Sequence, residues 1–173
     1  HSPAINHRNT TNHLAFLFDH AGVSWRSYQE NIPGTYPPLT NNYPYAVRHN
    51  PFLYFDNIYT NAGYITNHVR PFTELASDLT NGRLARFNFI SPNLTNDMHD
   101  LVPGGVSTRI QGDDWLKREL PTLLNSAVLT NNGAISVGEA DTLFVATTTI
   151  HGGSITGVGT VEVTASSAID SSA

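Results

Sequence analysis

The run RFNFIS, Arg86 to Ser91, constrains the fold more than any other stretch of this chain. Its alternating Phe87 and Phe89, with Ile90 beside them, have the period of a strand, and Pro92 stops it. A helix pattern precedes it from Pro71 to Gly82: Pro71 stands near the first turn, Phe72, Leu75 and Leu79 share a face, and Gly82 closes it. The same order occurs earlier. Thr10 to Gly22 reads as a helix capped by Thr10 or Thr11, with Leu14, Leu17 and Phe18 on one face, and VSWRSY follows as a strand. A third helix is expected from Asp113 to Asn125, capped by Asp113 or Asp114, with Trp115, Leu116, Leu120 and Leu123 inward and Pro121 interrupting it. Helix–strand–loop repeated in this way specifies an α/β layer fold with a mostly parallel sheet. Functional loops then belong beyond the carboxyl ends of the strands.

Near Thr130 the character changes. From Asn131 onward the chain has Phe144 as its one aromatic and no Lys, Arg or Pro, and short β-prone bursts alternate with Gly and small polar residues. Such a pattern reads as hairpins or as rungs of a parallel β-solenoid. One or two rungs bury no core alone, so this end would stack on the domain or on another chain. The expected division is therefore 1–130 and 131–173. Limited proteolysis is expected to cut between Gly133 and Gly138.

Charge and composition exclude several classes. A net charge of −5, without any run of Lys or Arg, excludes a general nucleic-acid binder. The absence of cysteine excludes disulfides and thiolate metal sites. No apolar run is long enough for a transmembrane segment. Richness in Asn, Thr and Ser without Cys suits a bacterial protein that is secreted or held at the cell surface. Asn9-Thr10-Thr11 and Asn93-Leu94-Thr95 match the glycosylation sequon, which matters only in a eukaryotic secretory setting.

Two of the eight histidines stand out by context. His49 lies in VRHNPF, beside Arg48 and before a rigid Asn50-Pro51 pair, within the long Pro/Asn/Tyr-rich loop from Asn31 to Pro51. His99 lies in NDMHD, flanked by Asp97 and Asp100. A carboxylate beside an imidazole fixes its tautomer and raises its basicity. Two such histidines with an arginine suit an anion or phosphate. His99 and His49 are thus the candidate catalytic residues, and Arg48, Asn50, Asp97 and Asp100 the candidate substrate-binding residues. Asn and Asp are also turn formers, so NDMHD reads equally well as a turn. His1, His7, His13, His20 and His151 read as structural or surface residues. Asp113 and Asp114 have a metal-ligand alternative to their capping role, and Glu30 reads either as catalytic or as an arginine's partner.

Five segments taken in order, LFDHAGVSWRSYQENIPG, YAVRHNPFLYFDNI, FNFISPNLTNDMHD, GDDWLKRELPTLLNS and NNGAI, resemble the phosphoesterase family. That family includes bacterial acid phosphatases, phosphatidylinositol-phosphate phosphatases and phospholipases C. The resemblance covers about residues 9 to 135. It implies a partial alkaline-phosphatase-like layered domain, a phosphate-ester substrate and a divalent metal ion. It also implies a Ser or Thr nucleophile and Glu-Asn metal ligands from segments that lie upstream in the family, so this chain resembles the middle of the domain. The tail resembles the Gly/Thr-rich β repeats of bacterial adhesins, which implies self-assembly through it. Two other readings compete: a non-catalytic surface, filament or assembly subunit with a degenerate phosphatase-like fold, and a carbohydrate-binding module built on Tyr36, Tyr43 and Tyr45.

Overall fold

The computed structural model describes residues 2–32, 36–124, 126, 134–137, 139, 142–145, 149–151, 154–163 and 168–170. The chain separates into two compact units, His1–Arg118 and Glu119–Ala173. The change of sequence character at Thr130, and the expected cleavage stretch from Gly133 to Gly138 except for 134–137, lie outside the described residues.

The first unit is built on a three-stranded parallel sheet of order β2-β1-β3, with β1 Trp25–Gln29, β2 Val69–Pro71 and β3 Phe87–Ser91. The fold is α/β, as the repeated helix–strand order requires. Ser27 sits at the centre of the register, opposite Val69 on one side and Phe89 on the other. As the middle strand, β1 is buried on both faces, at Trp25 and Ser27 on one and Tyr28 on the other. Its buried polar pair satisfies itself, because Gln29 Nε2 donates to Ser27 Oγ at 2.8 Å. Around Trp25 the core gathers Ala15, Val47, Leu53, Ile58 and Ile65.

The helices are short. They are α1 Pro3–Asn6, α2 Leu14–His20, α3 Asp56–Tyr59, α4 Ala62–His68 and α5 Leu75–Thr80, followed by the longer α6 Thr108–Leu124. Gly22 and Gly82 end α2 and α5 with φ of +62° and +63°, the left-handed conformation expected of closing glycines. The cap of α2 is a correction: His13, not Thr10 or Thr11, accepts from the Phe16 amide. An imidazole nitrogen does the work usually given to a hydroxyl, while its other nitrogen contacts Asn57 Oδ1 at 3.0 Å. The start of α6 is a second correction. It begins at Thr108, which places Asp113 and Asp114 inside the helix rather than at its cap, and Asp113 pairs with Lys117 one turn on at 2.6 Å. Trp115 is buried against Phe72, whereas Leu116 and Leu120 are exposed, and Pro121 does not end the helix.

In the second unit, six short strands pair in parallel: β4 Ala134–Val137 with β7 Ser154–Gly157, β5 Thr142–Val145 with β8 Thr160–Val163, and β6 Thr149–His151 with β9 Ala168–Asp170. Among the described residues β4, β5 and β6 each meet a strand about 20 residues later, the repeat of a parallel coil rather than of hairpins.

A charged cluster ties α5 to the back of β1. Asp78 receives Tyr28 Oη at 2.7 Å, Arg83 Nε at 3.2 Å and the Arg26 guanidinium. Burial pushes the Asp78 carboxyl up, but hydrogen bonds from Tyr28 and Arg83 and the charge of Arg26 hold it below the ordinary value of 3.8. Burial, with Asp78 alongside, raises the Tyr28 phenol to about 12. Asp78→Asn keeps the shape and removes the charge, and the expected loss near neutral pH is about 3 kcal/mol, read from urea midpoints. Because the folded-state value is the lower one, this contribution is complete above pH 3.8 and is lost as pH falls through the folded value. The two proteins therefore converge in stability as acid protonates the folded carboxyl, and a gap that stays constant throughout the acid titration would remove the ionised carboxylate as the cause.

Candidate functional site

The site is assembled at the carboxyl edge of the sheet, where the chain leaves β1 and β3. Glu30, the residue after β1, turns its carboxylate onto the loop after β3. Its Oε2 accepts from the Asn93 amide nitrogen at 2.9 Å, and both its oxygens lie 2.9 Å from Asn96 Nδ2. Glu30 is thus no arginine's partner. Asn93 organises the same loop from within: its Oδ1 accepts from the Thr95 amide and hydroxyl and from the Asn96 amide, and its Nδ2 donates to Asn31 Oδ1 at 2.7 Å. The side chain is buried and fully engaged, which leaves it closed to glycosylation, whereas Asn9 of the other sequon is exposed.

Two histidines meet over this scaffold. His49, from a 3-10 turn at Val47–His49, places Nδ1 2.8 Å from Asp97 Oδ2. His99 places Nδ1 2.6 Å from Asp100 Oδ1. Carboxylates only accept, so the His99 ring, hydrogen-bonded to Asp100, carries its proton on Nδ1 and turns Nε2 toward Arg48, while His49 stands in ion-pair contact with Asp97. The ring centroids are 6.3 Å apart, and Arg48 Nη2 lies 3.5 Å from His99 Nε2. Asp97 serves twice, because its Oδ1 also accepts from the His99 amide at 2.9 Å. NDMHD is therefore a turn and a histidine holder at once, with Met98 at its apex in the left-handed region, φ +71°.

Of the candidate substrate-binding residues, Arg48 stands beside His99, while Asp97 and Asp100 are turned onto imidazoles. Asn50 is fully buried, and neither of its amide atoms has a hydrogen-bond partner among the described residues. Its neighbour Tyr45 gives its proton to the Pro38 carbonyl at 2.9 Å, and burial raises that phenol despite the Asn50 amide beside it. With Tyr45 in the core, only Tyr36 and Tyr43 of the tyrosine trio reach the surface. Among the remaining histidines, His7 pairs with Asp56 and His20 Nδ1 lies 3.1 Å from the Phe16 carbonyl oxygen, whereas His1 lies outside the described residues.

Sequence reasoning missed Gln111. From α6 it donates to the Thr95 and Asp100 carbonyls at 2.9 and 3.0 Å and accepts from the Val102 amide at 2.7 Å. The next residue, Gly112, permits this approach: a Cβ there would meet Met98 Cγ at 2.6 Å. A glycine inside a helix was the available signal.

The phosphoesterase family profile matches residues 2–160. The chain belongs to the phosphoesterase family. The match runs past the boundary near residue 135 that the motifs imply. Similar proteins include the phosphate-repressible acid phosphatase of Penicillium chrysogenum, 32% identical over 136 residues, which cover 75% of this chain and 31% of that protein. The acid phosphatase of Aspergillus niger is 35% identical over 129 residues, 70% of this chain and 29% of that protein. The phosphatidylinositol-3-phosphatase of Mycobacterium tuberculosis is 31% identical over 117 residues, 68% of this chain and 35% of that protein. The relatives are thus fungal as well as bacterial, and this phosphoesterase chain spans about a third of their length. No solved structure matches it.

Glu30 is the main brace of the loop after β3, and its removal is expected to be felt at the histidines. Glu30→Ala should cost about 2 kcal/mol, the range for hydrogen bonds to a charged group. Amide exchange from Asn93 to Asp97 should quicken by more than global destabilisation explains. Protection of that loop at the wild-type level would show that Gln111 and Asn93 suffice.

Proposed function

We propose that this chain carries the histidine-bearing part of a phosphate-ester hydrolase, in which His49 and His99 serve one phosphoryl group. One observation carries the reading: two carboxylate-anchored imidazoles stand 6.3 Å apart beside an arginine. A phosphoryl group spans such a gap with each ring nitrogen about 3 Å from an oxygen. Arg48 supplies a permanent charge and forked donors for the phosphate oxygens. With Arg48 drawn from Nε2 onto the phosphate oxygens, a protonated His99 gives its Nε2 proton to the leaving alcohol oxygen as the Ser or Thr nucleophile implied by the family resemblance bonds to phosphorus and the P–O bond breaks, and Asp100 steadies the ring. His49, steadied by Asp97, donates to a non-bridging oxygen where negative charge collects. Asp97 and Asp100 bind substrate only through the rings they hold.

The whole reaction is proposed for the longer protein, since the chain spans 31% of the Penicillium relative and 29% of the Aspergillus niger one. The divalent metal implied by family resemblance finds no group of three or more ligating His, Asp or Glu side chains among the described residues. Asp97 and Asp100 are committed to imidazoles, and no step here runs through a metal. No helix among the described residues is long and apolar enough to cross a membrane. We place the protein outside the cell or at its surface, on composition.

A second reading is favoured by the tail. Among the described residues each of its strands pairs on one side only, and an edge so left would accept a further rung from another copy. Self-assembly would then show as sedimentation that rises with concentration, and a monomer at every concentration would remove this reading.

Phosphate or vanadate added to the chain should shift the ring resonances of His49 and His99 together, and His99→Ala should abolish the response at His49. An imidazole unmoved at saturating phosphate would break the shared-site reading. In the longer protein, His99→Ala should lower kcat on a phosphate monoester by about 10²- to 10⁴-fold, the usual worth of a positioned proton donor.

A further inference from the structure

Arg48 belongs to two neighbourhoods. Its Nη2 lies 3.5 Å from His99 Nε2, and the same residue lines an open cleft of about 350 Å³ with Asn6, Pro51 and Tyr54. That volume lies at the small end of ligand clefts, which run from roughly 300 to 1,000 Å³. The exposed surface of the cleft is mostly apolar. The Tyr54 hydroxyl is buried without a hydrogen-bond partner, so what Tyr54 presents to the cleft is ring carbon. Burial raises that phenol, and the Arg48 charge draws it back. Asn6 brings an amide, but its Nδ2 already donates to the Ser2 carbonyl at 3.2 Å.

Phosphate alone has no use for such walls. We propose that this cleft seats the leaving group of the ester, and that the site favours esters of flat, apolar alcohols, phenols above all. The inference rests on the phosphate reading of His49 and His99. The oxygen that His99 protonates carries the leaving group, and Arg48, the neighbour of that nitrogen, is also a wall of the cleft. An aromatic ring there meets the ring carbon of Tyr54 and the edge of Pro51, and a guanidinium stacks well on an aromatic face. A polyol leaving group finds few free hydrogen-bonding partners among the same residues, and water binds its hydroxyls better.

Binding of three probes to the chain, followed by NMR, tests this: inorganic phosphate, methyl phosphate and phenyl phosphate. Phenyl phosphate should bind about tenfold more tightly than methyl phosphate, the worth of partly burying a ring in an open cleft. It should shift resonances of Asn6 and Tyr54 that inorganic phosphate leaves in place. Asn6 is exposed at the end of α1, so Asn6→Trp fills the cleft without disturbing the core. This variant should lose the tenfold preference and keep its affinity for inorganic phosphate. Equal binding of the two esters, or a preference that survives Asn6→Trp, overturns the leaving-group assignment and leaves the phosphate site standing. Inorganic phosphate that moves neither His49 nor His99 overturns the phosphate reading, and the subsite falls with it.

Discussion

The Glu30 carboxylate joins the fold of this chain to its candidate chemistry. It stands one residue past the central strand and accepts from the backbone and side chain of the loop that leaves the neighbouring strand. Parallel pairing brings the two carboxyl ends level, since Gln29 lies opposite Ser91. Nothing in the ladder itself controls where the chain goes after Ser91. Glu30 does, by fixing Asn93 and Asn96, and the Asn93 turn then fixes Asp97 and, through its amide, His99. The long loop is tied to the same structure, because the Leu94 amide donates to the Pro44 carbonyl at 3.0 Å, on the stretch that leads to His49.

This arrangement puts precision where loops ordinarily lack it. A surface loop of this kind has few apolar contacts to hold it. Here polar groups replace them: Glu30 from the sheet, Gln111 from α6 and Asp97 from the loop itself. Charged acceptors give shorter and stronger hydrogen bonds than neutral ones, so the carboxylates of Glu30 and Asp97 suit the task. Asn50 is the exception. A buried amide with no partner costs about 1 to 3 kcal/mol, and it sits between the 3-10 turn that bears His49 and the next one, Pro51–Tyr54.

How much was legible follows the range of each interaction. The strands at Trp25 and Phe87, the closing glycines and the parallel order are local or periodic, and they were readable along the chain. So were the two histidines as candidates and the acid of His99, because Asp100 is its sequence neighbour. Errors arose where partners are distant. His13 took the cap because Asn57 holds its other nitrogen. The helix α6 began early because Gln111 and Gly112 pack against the loop of Met98. Asn50, a candidate for substrate binding in RHNPF, is buried between the turns on either side.

By itself the sequence determined a parallel α/β segment, one histidine beside an arginine and another between two carboxylates, and a tail of short strands, because helix and strand periods and adjacent charges are properties of a few residues at a time. Tertiary structure alone decided that His49 takes its carboxylate from Asp97, across the gap between two loops, and that His99 keeps Asp100. It also decided that Arg48 adjoins both His99 and an apolar cleft. These are contacts between residues some fifty positions apart or set by the depth of a turn, and no local pattern records which of several acids an imidazole will reach once the sheet has brought the loops together.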